Sequence, residues 1–335
     1  MEKVLIIGGF GNIGLGITRK FVELGYDVTV MDRQQAEDGS LEGVEWIQCD
    51  RSDADSFGAA VKGKGFEYVV DMACFTKDQA AIVYENLPDI KRLIAVSSGA
   101  AYGALHGREV PIREDMIMKP KWQYGVIKKE MEDYLFDKFR KNGYPVTVFR
   151  PSVTYGRQKT IVRQIAADNS WVDRIRKGKP IVVGNPYILR SFLFADDAAA
   201  AFTGALNHPC TIGQAYNLGG MKPYDWGTYH RTMMKVLGRE VEMVEVPLQV
   251  MEACPEFEVS EMITESYVFN AFYSGEKIAR DIPEFSAQTD LETGLRKAVE
   301  YLDAHNLVPD SDTLTWEDEL IKAQKQALHF WVKKP

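Results

Sequence analysis

Along the first 156 positions apolar residues fall in short blocks, and the blocks alternate with stretches whose apolar positions recur every three or four residues. Val4–Ile7, Val28–Met31, Tyr68–Met72, Leu93–Ser97 and Val146–Arg150 are β-branched and apolar at most positions, the pattern of strands covered on both faces. Between them, Asn12–Leu24 has helical apolar spacing with Gly25 placed to stop it. A second helix is predicted over about Trp122–Lys141, ending near Asn142-Gly143. Strand and helix in this rhythm predict an α/β fold with a doubly wound parallel sheet.

Past Gly156 the rhythm weakens. Phe192–Leu206, with an alanine-rich face, and the strand Ala215–Leu218 still fit the sheet and helices of the first unit. Residues 1–156 and 191–220 are therefore expected to form one α/β domain of the Rossmann kind, and 157–190 with 221–335 a smaller C-terminal lobe over the carboxyl ends of its strands, where open parallel sheets bind ligands. Near the end, Thr315 can cap a helix whose Trp316, Leu320, Ala323, Ala327 and Trp331 share one face, with acids in its first turn and lysines after its last. That pattern predicts packing, not chemistry.

Charge and cysteine usage narrow the function. The 335 residues carry a formal net charge of −8, which opposes nucleic-acid binding because a phosphate backbone needs clustered Lys and Arg. The four cysteines, Cys49, Cys74, Cys210 and Cys254, lie far apart and form neither a CxxC nor a Cys/His metal spacing, so a reduced protein without a metal is expected. Val4–Ile7 is too short for a signal segment, and no apolar stretch approaches the ~20 residues that span a bilayer. A cytoplasmic protein is expected.

The string VLIIGGFGNIG puts Gly8, Gly11 and Gly14 where a strand turns into a helix, with Asn12 and Ile13 inside the turn. A pyrophosphate needs close approach to backbone and a free helix N-terminus, which side chains at these positions would obstruct. The second strand ends in Met31-Asp32-Arg33; an acid there can accept hydrogen bonds from both adenosine ribose hydroxyls and favours NAD. Arg33 could instead face a 2′-phosphate, so NADP stays as the alternative. Asp50-Arg51 follows the third strand.

Tyr124 and Lys128 stand four apart on the predicted helix, hence on one face. A free phenol, with a pKa of ~10, is a poor base near neutrality, but a nearby ammonium and a nicotinamide's positive charge favour its phenolate. Tyr124 can then exchange a hydroxyl proton while a hydride moves to or from the nicotinamide. Ser98, just past the fifth strand, would hydrogen-bond the same substrate oxygen, and Lys128 would also bind the nicotinamide ribose.

Glycine turn, Asp32, Ser97-Ser98, Tyr124 and Lys128, in that order, resemble the extended short-chain dehydrogenase/reductase superfamily and its NAD-dependent epimerase/dehydratase family over nearly the whole chain. SSGAAYG at Ser97–Gly103, the acid pair Glu114-Asp115, RPSVTYG at Arg150–Gly156, RSFLFADD at Arg190–Asp197 and YNLGG at Tyr216–Gly220 are further family-like strings. The resemblance implies that Asp50-Arg51 meets the adenine amine, that Met72-Ala73-Cys74 passes the cofactor's middle, and that Ser97, Pro151 and Ser152 lie near the nicotinamide. It also implies that Arg190 clamps a nucleotide-sugar's diphosphate and that the protein is a homodimer.

The chain departs from the family pattern in three places. Dehydratases of nucleotide-sugars carry an acid pair directly after the catalytic Ser or Thr, whereas Gly99 and Ala100 follow Ser98 here, which argues against that dehydration. Gly99, Ala100, Ser98 and Tyr124 become candidate substrate contacts. The asparagine that many epimerases place before the sixth-strand YG corresponds to Val153 or Thr154, and Thr264–Tyr273 holds no second arginine for the diphosphate. YVVDMACFTKDQAAIVYENLPDIKRLIAVSSGAAYG and WVDRIRKGKPIVVG are similar to the branch that includes the chloroplast stem-loop RNA-binding proteins, whose RNA-binding members have lost the tyrosine that this chain keeps. The expectation is an epimerase or oxidoreductase acting on a secondary hydroxyl, foremost of a nucleotide-sugar. A reductase of a small carbonyl compound and a non-catalytic RNA-binding relative are the alternatives.

Overall fold

The structure is a computed structural model that describes residues 1–35, 41, 44–104, 107–157, 159–287 and 289–332, with the side chains of 330–332 outside that description. Among the described residues the strands are β1 (Lys3–Ile7), β2 (Asp27–Asp32), β3 (Glu45–Gln48), β4 (Tyr68–Asp71), β5 (Arg92–Val96) and β6 (Val146–Pro151), then β7 (Val153–Tyr155), β8 (Ile181–Val183), β9 (Leu189–Phe194), β10 (Gln214–Leu218), β11 (Pro223–Asp225) and β12 (Met243–Glu245). Seven of them form one sheet in the order β10-β6-β5-β4-β1-β2-β3, every neighbouring pair parallel. The chain crosses over between β1 and β4, which opens a crevice at the carboxyl ends of those strands.

Two cores flank this sheet because its strands are apolar on both faces. Val4 and Ile6 of β1 pack with Ile17 and Phe21 of helix α1 (Gly14–Glu23) on one side. Leu5 and Ile7 pack on the other side with Phe57 of α2 (Ala54–Val61), Val83 of α3 (Lys77–Asn86) and Met131 of α4 (Gln123–Asn142). Helix ends fall where the sequence places them. Gly25 follows α1 with φ 81°, and Gly143 ends α4 in the left-handed region at φ 71°.

Helix α5 (Ser170–Lys177) lies beyond the sheet, and α6 (Ala199–Asn207) packs its alanine-rich face into the same core as α1. The strand ahead of α6 does not join the central sheet as expected: β9 pairs in parallel with β7 and antiparallel with β11 in a separate three-stranded sheet. Only β10 completes the parallel sheet, beside β6. Phe192 of β9 stacks on Tyr229 of α7 (Trp226–Leu237) at 4.6 Å, so its apolar side is spent on this second core rather than on the main sheet.

The C-terminal helix Trp316–Val332 is fastened by charge as well as by apolar contact. Glu317 is fully buried and accepts hydrogen bonds from Arg163 Nη1 (2.9 Å), Arg163 Nη2 (2.6 Å) and the Val182 N–H (2.6 Å). Leu320 is buried and Trp316 packs against Phe257, whereas the Trp331 side chain and the lysines beyond it lie outside the described residues. No described helix is long and apolar enough to cross a membrane.

Candidate active site

A cleft of about 460 Å³ runs along the carboxyl ends of the central strands, and most of the sequence-predicted positions meet in it. Gly8 leaves β1 at φ 77° and donates its N–H to Met31 O (2.8 Å), tying the glycine turn to β2. A Cβ on Gly14 would stand 2.4 Å from Gly8 O and 2.9 Å from the Gly9 backbone, so only glycine lets α1 begin so close to β1. A Cβ on Gly11 would meet nothing nearer than Gly8 O at 3.4 Å. No side chain caps α1, and Gly11, Asn12, Ile13 and Gly14 all line the cleft, which leaves an open helix N-terminus there.

Asp32 lies at the junction of this cleft with a neighbouring one of about 270 Å³ that Arg33, Asp50 and Arg51 also line. Its carboxylate accepts from the Arg33 N–H (2.8 Å) and the Phe10 N–H (3.4 Å), which fixes its direction. Arg33 is exposed. Arg51 turns inward instead: its guanidinium pairs with buried Asp71 at 2.5 Å and donates to Ala73 O (3.3 Å) and Gln79 O (3.1 Å). Met72 and Ala73 form a wall of the larger cleft, while the Cys74 thiol is buried in the core, where burial pushes it up to about 12. Of that triplet's last residue, only the carbonyl serves the site.

At the far end Ser97, Ser98, Tyr124, Lys128, Pro151 and Ser152 converge. Lys128 is buried, with Nζ donating to Cys74 O (2.7 Å) and Val96 O (2.9 Å) and lying 4.4 Å above the Phe75 ring centroid. Burial pulls its ammonium down to about 8, against the pull of Cys74, Asp71 and Glu132. The Tyr124 phenol is raised above its ordinary value by burial, which a hydrogen bond to Ser98 only partly offsets. Lys128 sits 5.8 Å from the Tyr124 ring centroid with its hydrogen bonds spent on backbone carbonyls, so its charge acts on the phenol without a direct hydrogen bond.

The placement of α4 explains why these groups meet. Tyr124, Lys128 and Glu132 follow one another at helical spacing, and Glu132 takes a three-bond grip from Arg150 of β6 (2.6–3.1 Å). Arg150 also donates to Tyr102 OH (2.7 Å), which donates to Asn217 (2.7 Å), whose own backbone N–H donates to Glu114 (2.9 Å). RPSVTYG, YNLGG and the first acid of the Glu114-Asp115 pair thus belong to one buried network that holds the helix.

A further cavity of about 200 Å³ opens beside Tyr124 and Ser98, lined by Gly99, Ala100, Val153 and Arg190 among others. Arg190 is not a surface residue: it is buried, donates to Ser266 O (3.1 Å), Phe269 O (3.4 Å) and Ser266 Oγ (3.3 Å), and lies over the Tyr267 ring at 5.0 Å. Trp122, Met262, Tyr267 and Tyr273 also line this cavity, and Phe75 lines both of the neighbouring clefts. Sequence reasoning missed all five. Phe75 was within reach, being next to the Met72-Ala73-Cys74 string, whereas Met262, Tyr267 and Tyr273 come from an irregular segment without a periodic signal.

Comparison with known proteins agrees with this geometry. The model of the NAD dependent epimerase/dehydratase family matches residues 4–86 and 80–219. Among curated proteins the chain is 26% identical over 265 residues to 2′-dehydrokanamycin reductase of Streptomyces kanamyceticus, covering 79% of this chain and 74% of that one. It is 28% identical over 236 residues to the chloroplast stem-loop binding protein of 41 kDa b of Arabidopsis thaliana, covering 66% and 59% of the two chains. The fold is similar to that of UDP-glucose 4-epimerase with UDP-glucose from Thermotoga maritima, with a TM-score of 0.74, 20% identity, and 91% and 99% of the chains covered. With the family model spanning the whole parallel sheet and its cleft, the chain belongs to the NAD dependent epimerase/dehydratase family and is an enzyme of the extended short-chain dehydrogenase/reductase type.

Proposed function

We propose that this enzyme moves a hydride between NAD and a carbon bearing a secondary hydroxyl or carbonyl of a sugar-like substrate, as an epimerase or a net oxidoreductase. The observation that carries the reading is a single cleft with an uncapped helix N-terminus and Asp32 at one end and Tyr124, Ser98 and Lys128 at the other. The residues present fit a dinucleotide. Gly14 lets the N-terminus of α1 close on the Gly8–Gly9 backbone at the cleft, and the Ser97 and Ser152 hydroxyls are buried at the Tyr124 end without a partner. Bound there, the dinucleotide supplies the hydride donor or acceptor.

The chain's own groups then divide the work. The N–H groups of the Gly8–Gly14 turn and the first turn of α1 hold a diphosphate, Asp32 holds the adenosine ribose, and Asp50 faces the adenine end. Met72 and Ala73 flank the middle, and Ser97, Pro151 and Ser152 surround the nicotinamide end. Lys128 fixes the Cys74 and Val96 carbonyls and lends its charge to the site, and Ser98 hydrogen-bonds the substrate oxygen. Tyr124, protonated in the unliganded site, gives that oxygen its proton during reduction and takes it back during oxidation.

Asp32 should set cofactor choice. Removing its charge with Asp32→Asn removes repulsion of a 2′-phosphate, so NADP should gain on the order of tenfold relative to NAD. Titration of both dinucleotides into wild type and variant checks this, and tighter NADP binding by wild type would reverse the assignment.

Two substrate readings remain in play. UDP-glucose in the structurally similar epimerase favours a nucleotide-sugar, whose diphosphate Arg190 would then meet. The cavity beside Tyr124, at about 200 Å³, lies below the ~300–1,000 Å³ usual for ligand pockets and favours a compact, non-nucleotide substrate. The cofactor recovered with the purified protein tests the common core: tightly held NAD points to an epimerase that recaptures its hydride, and exchangeable NAD with a net change at 340 nm to a dehydrogenase or reductase. Purified protein that binds neither dinucleotide would end the reading. UDP titrated into the NAD-loaded protein separates the substrates, since binding supports the nucleotide-sugar and its absence the compact compound.

A further inference from the structure

Behind the cavity beside Tyr124 lies a recess of about 30 Å³ lined by Arg108 as well as Arg190, and it shares Gly99, Ala100 and Tyr273 with that cavity. Arg108 comes from the segment after the Ser97–Gly103 motif, not from Thr264–Tyr273. Its Nη2 donates to Tyr102 O (2.9 Å) and Ile117 O (3.0 Å), while its Nη1 is buried without a hydrogen-bond partner. Arg190 likewise has a buried Nε without a partner. Neither guanidinium forms an ion pair with a carboxylate among the described residues, although burial disfavours the charge of both. The charges of Arg190 and Arg108 also act on the buried Tyr273 phenol.

Gly99 makes the recess possible. A Cβ there would stand 2.2 Å from Tyr273 Oη, so any side chain after Ser98 would drive the phenol out of its seat. Where the family's dehydratases place acids, this chain has two small residues and a phenol held beside two arginines. Glu265 also lines the recess, so its charged lining sums to one positive charge, from two guanidiniums and one carboxylate. Its volume admits roughly two to three water-sized groups, each needing at least ~10–15 Å³. A planar carboxylate, with two oxygens, fits that space and matches a guanidinium's paired donors, whereas a phosphoryl group's three terminal oxygens would take up all of it.

We propose that Arg108 and Arg190 hold a carboxylate of the substrate in this recess, so that the enzyme acts on a sugar acid or related hydroxy acid with its reacting hydroxyl at Tyr124 and Ser98. The proposal rests on the hydride-transfer reading for the position of the reacting carbon, but the recess can be tested without turnover. Calorimetric titration of NAD-loaded protein with D-glucuronate, D-glucose, D-glucosamine and D-glucose 6-phosphate compares a carboxylate with neutral, cationic and phosphorylated counterparts.

Glucuronate should bind wild type at least about tenfold more tightly than glucose or glucosamine, and Arg108→Gln should weaken it about tenfold or more. NAD affinity and melting temperature should stay near wild type. Arg108→Lys, which keeps the charge but loses the planar fork, should fall between the two. Gly99→Ala reaches the same recess from the other side and should also weaken glucuronate, keeping the test alive if an arginine variant folds poorly. Equal affinity for glucuronate and glucose, no binding of glucuronate, or an unchanged affinity in Arg108→Gln would overturn the proposal. Glucose 6-phosphate binding more tightly than glucuronate and losing the same factor in Arg108→Gln would reassign the recess to phosphate. Glucuronate binding that survives in wild type without any hydride transfer would leave the recess standing and remove only the catalytic reading.

Discussion

Tyr124→Phe should lower turnover by about 10²–10⁴-fold, the usual contribution of a general acid or base, while leaving cofactor binding nearly unchanged. The substitution removes one hydroxyl and keeps the ring that packs against Trp122 at 5.0 Å and Phe75 at 6.5 Å, so the cleft retains its shape. The pH dependence should separate the two directions. Burial holds the phenol protonated in the unliganded site, so carbonyl reduction should be fully active at low and neutral pH and fall as pH rises through the phenol's pKa. Oxidation needs the phenolate and should rise over the same interval. The limbs set by the phenol should vanish from the residual rate of the phenylalanine variant, leaving only the limb that Lys128, pulled down to about 8, imposes. Stopped-flow absorbance at 340 nm across pH, with NAD affinity measured in parallel, checks this. A loss smaller than tenfold, or a variant whose pH profile is the same as that of wild type, would remove Tyr124 as the proton carrier.

That expectation shows where the sequence was informative and where it was not. Tyr124 and Lys128 on one helix face follow from spacing alone, as does the glycine turn from its place between an apolar block and a helical one. The state of the phenol does not follow from spacing, because it is set by burial under Trp122 and Phe75 and by Lys128 spending its hydrogen bonds on the Cys74 and Val96 carbonyls. Arg51 shows the same limit. An acid-arginine pair after a strand gives no sign that the arginine will turn inward to Asp71 while Asp50 stays at the cleft.

The central strands were legible because a strand buried on both faces is apolar at nearly every position, and β1, β2, β4, β5 and β6 all have that property. Strand β9 was misplaced for the same reason: Ser191–Phe194 is buried as completely as the central strands, but it bridges two cores, with Phe192 and Phe194 among the second layer's aromatics and Leu193 in the core beside α1. Sheet membership is a long-range fact that composition does not carry. Tyr273 and Arg190 meet in the cavity beside Tyr124 through pairing of two distant segments, including the Arg190–Ala271 and Ile112–Tyr273 bridges, and no local pattern marks that.

Glu317→Ala should be strongly destabilising, costing about 3–5 kcal/mol. From sequence this glutamate is one of several acids in a helix's first turn, worth at most ~1 kcal/mol through the helix dipole. In the structure it is the buried counter-ion of Arg163, and Arg174 Nε lies 3.4 Å from its other oxygen. Removing it strands the fully buried Arg163 guanidinium and leaves the Val182 N–H without its acceptor, while Arg174 keeps Asp318 at 2.7 Å. The expected result is a lower urea midpoint and faster proteolysis between Pro309 and Trp316, as the C-terminal helix loses its anchor. Because a buried ion pair contributes through mutual compensation, the double variant Arg163→Met/Glu317→Met should recover much of the loss that either single change causes. A cost below 1 kcal/mol for Glu317→Ala, or a double variant no better than the singles, would mean that the apolar contacts of Leu320 and Trp316 hold the helix and the buried charges do not.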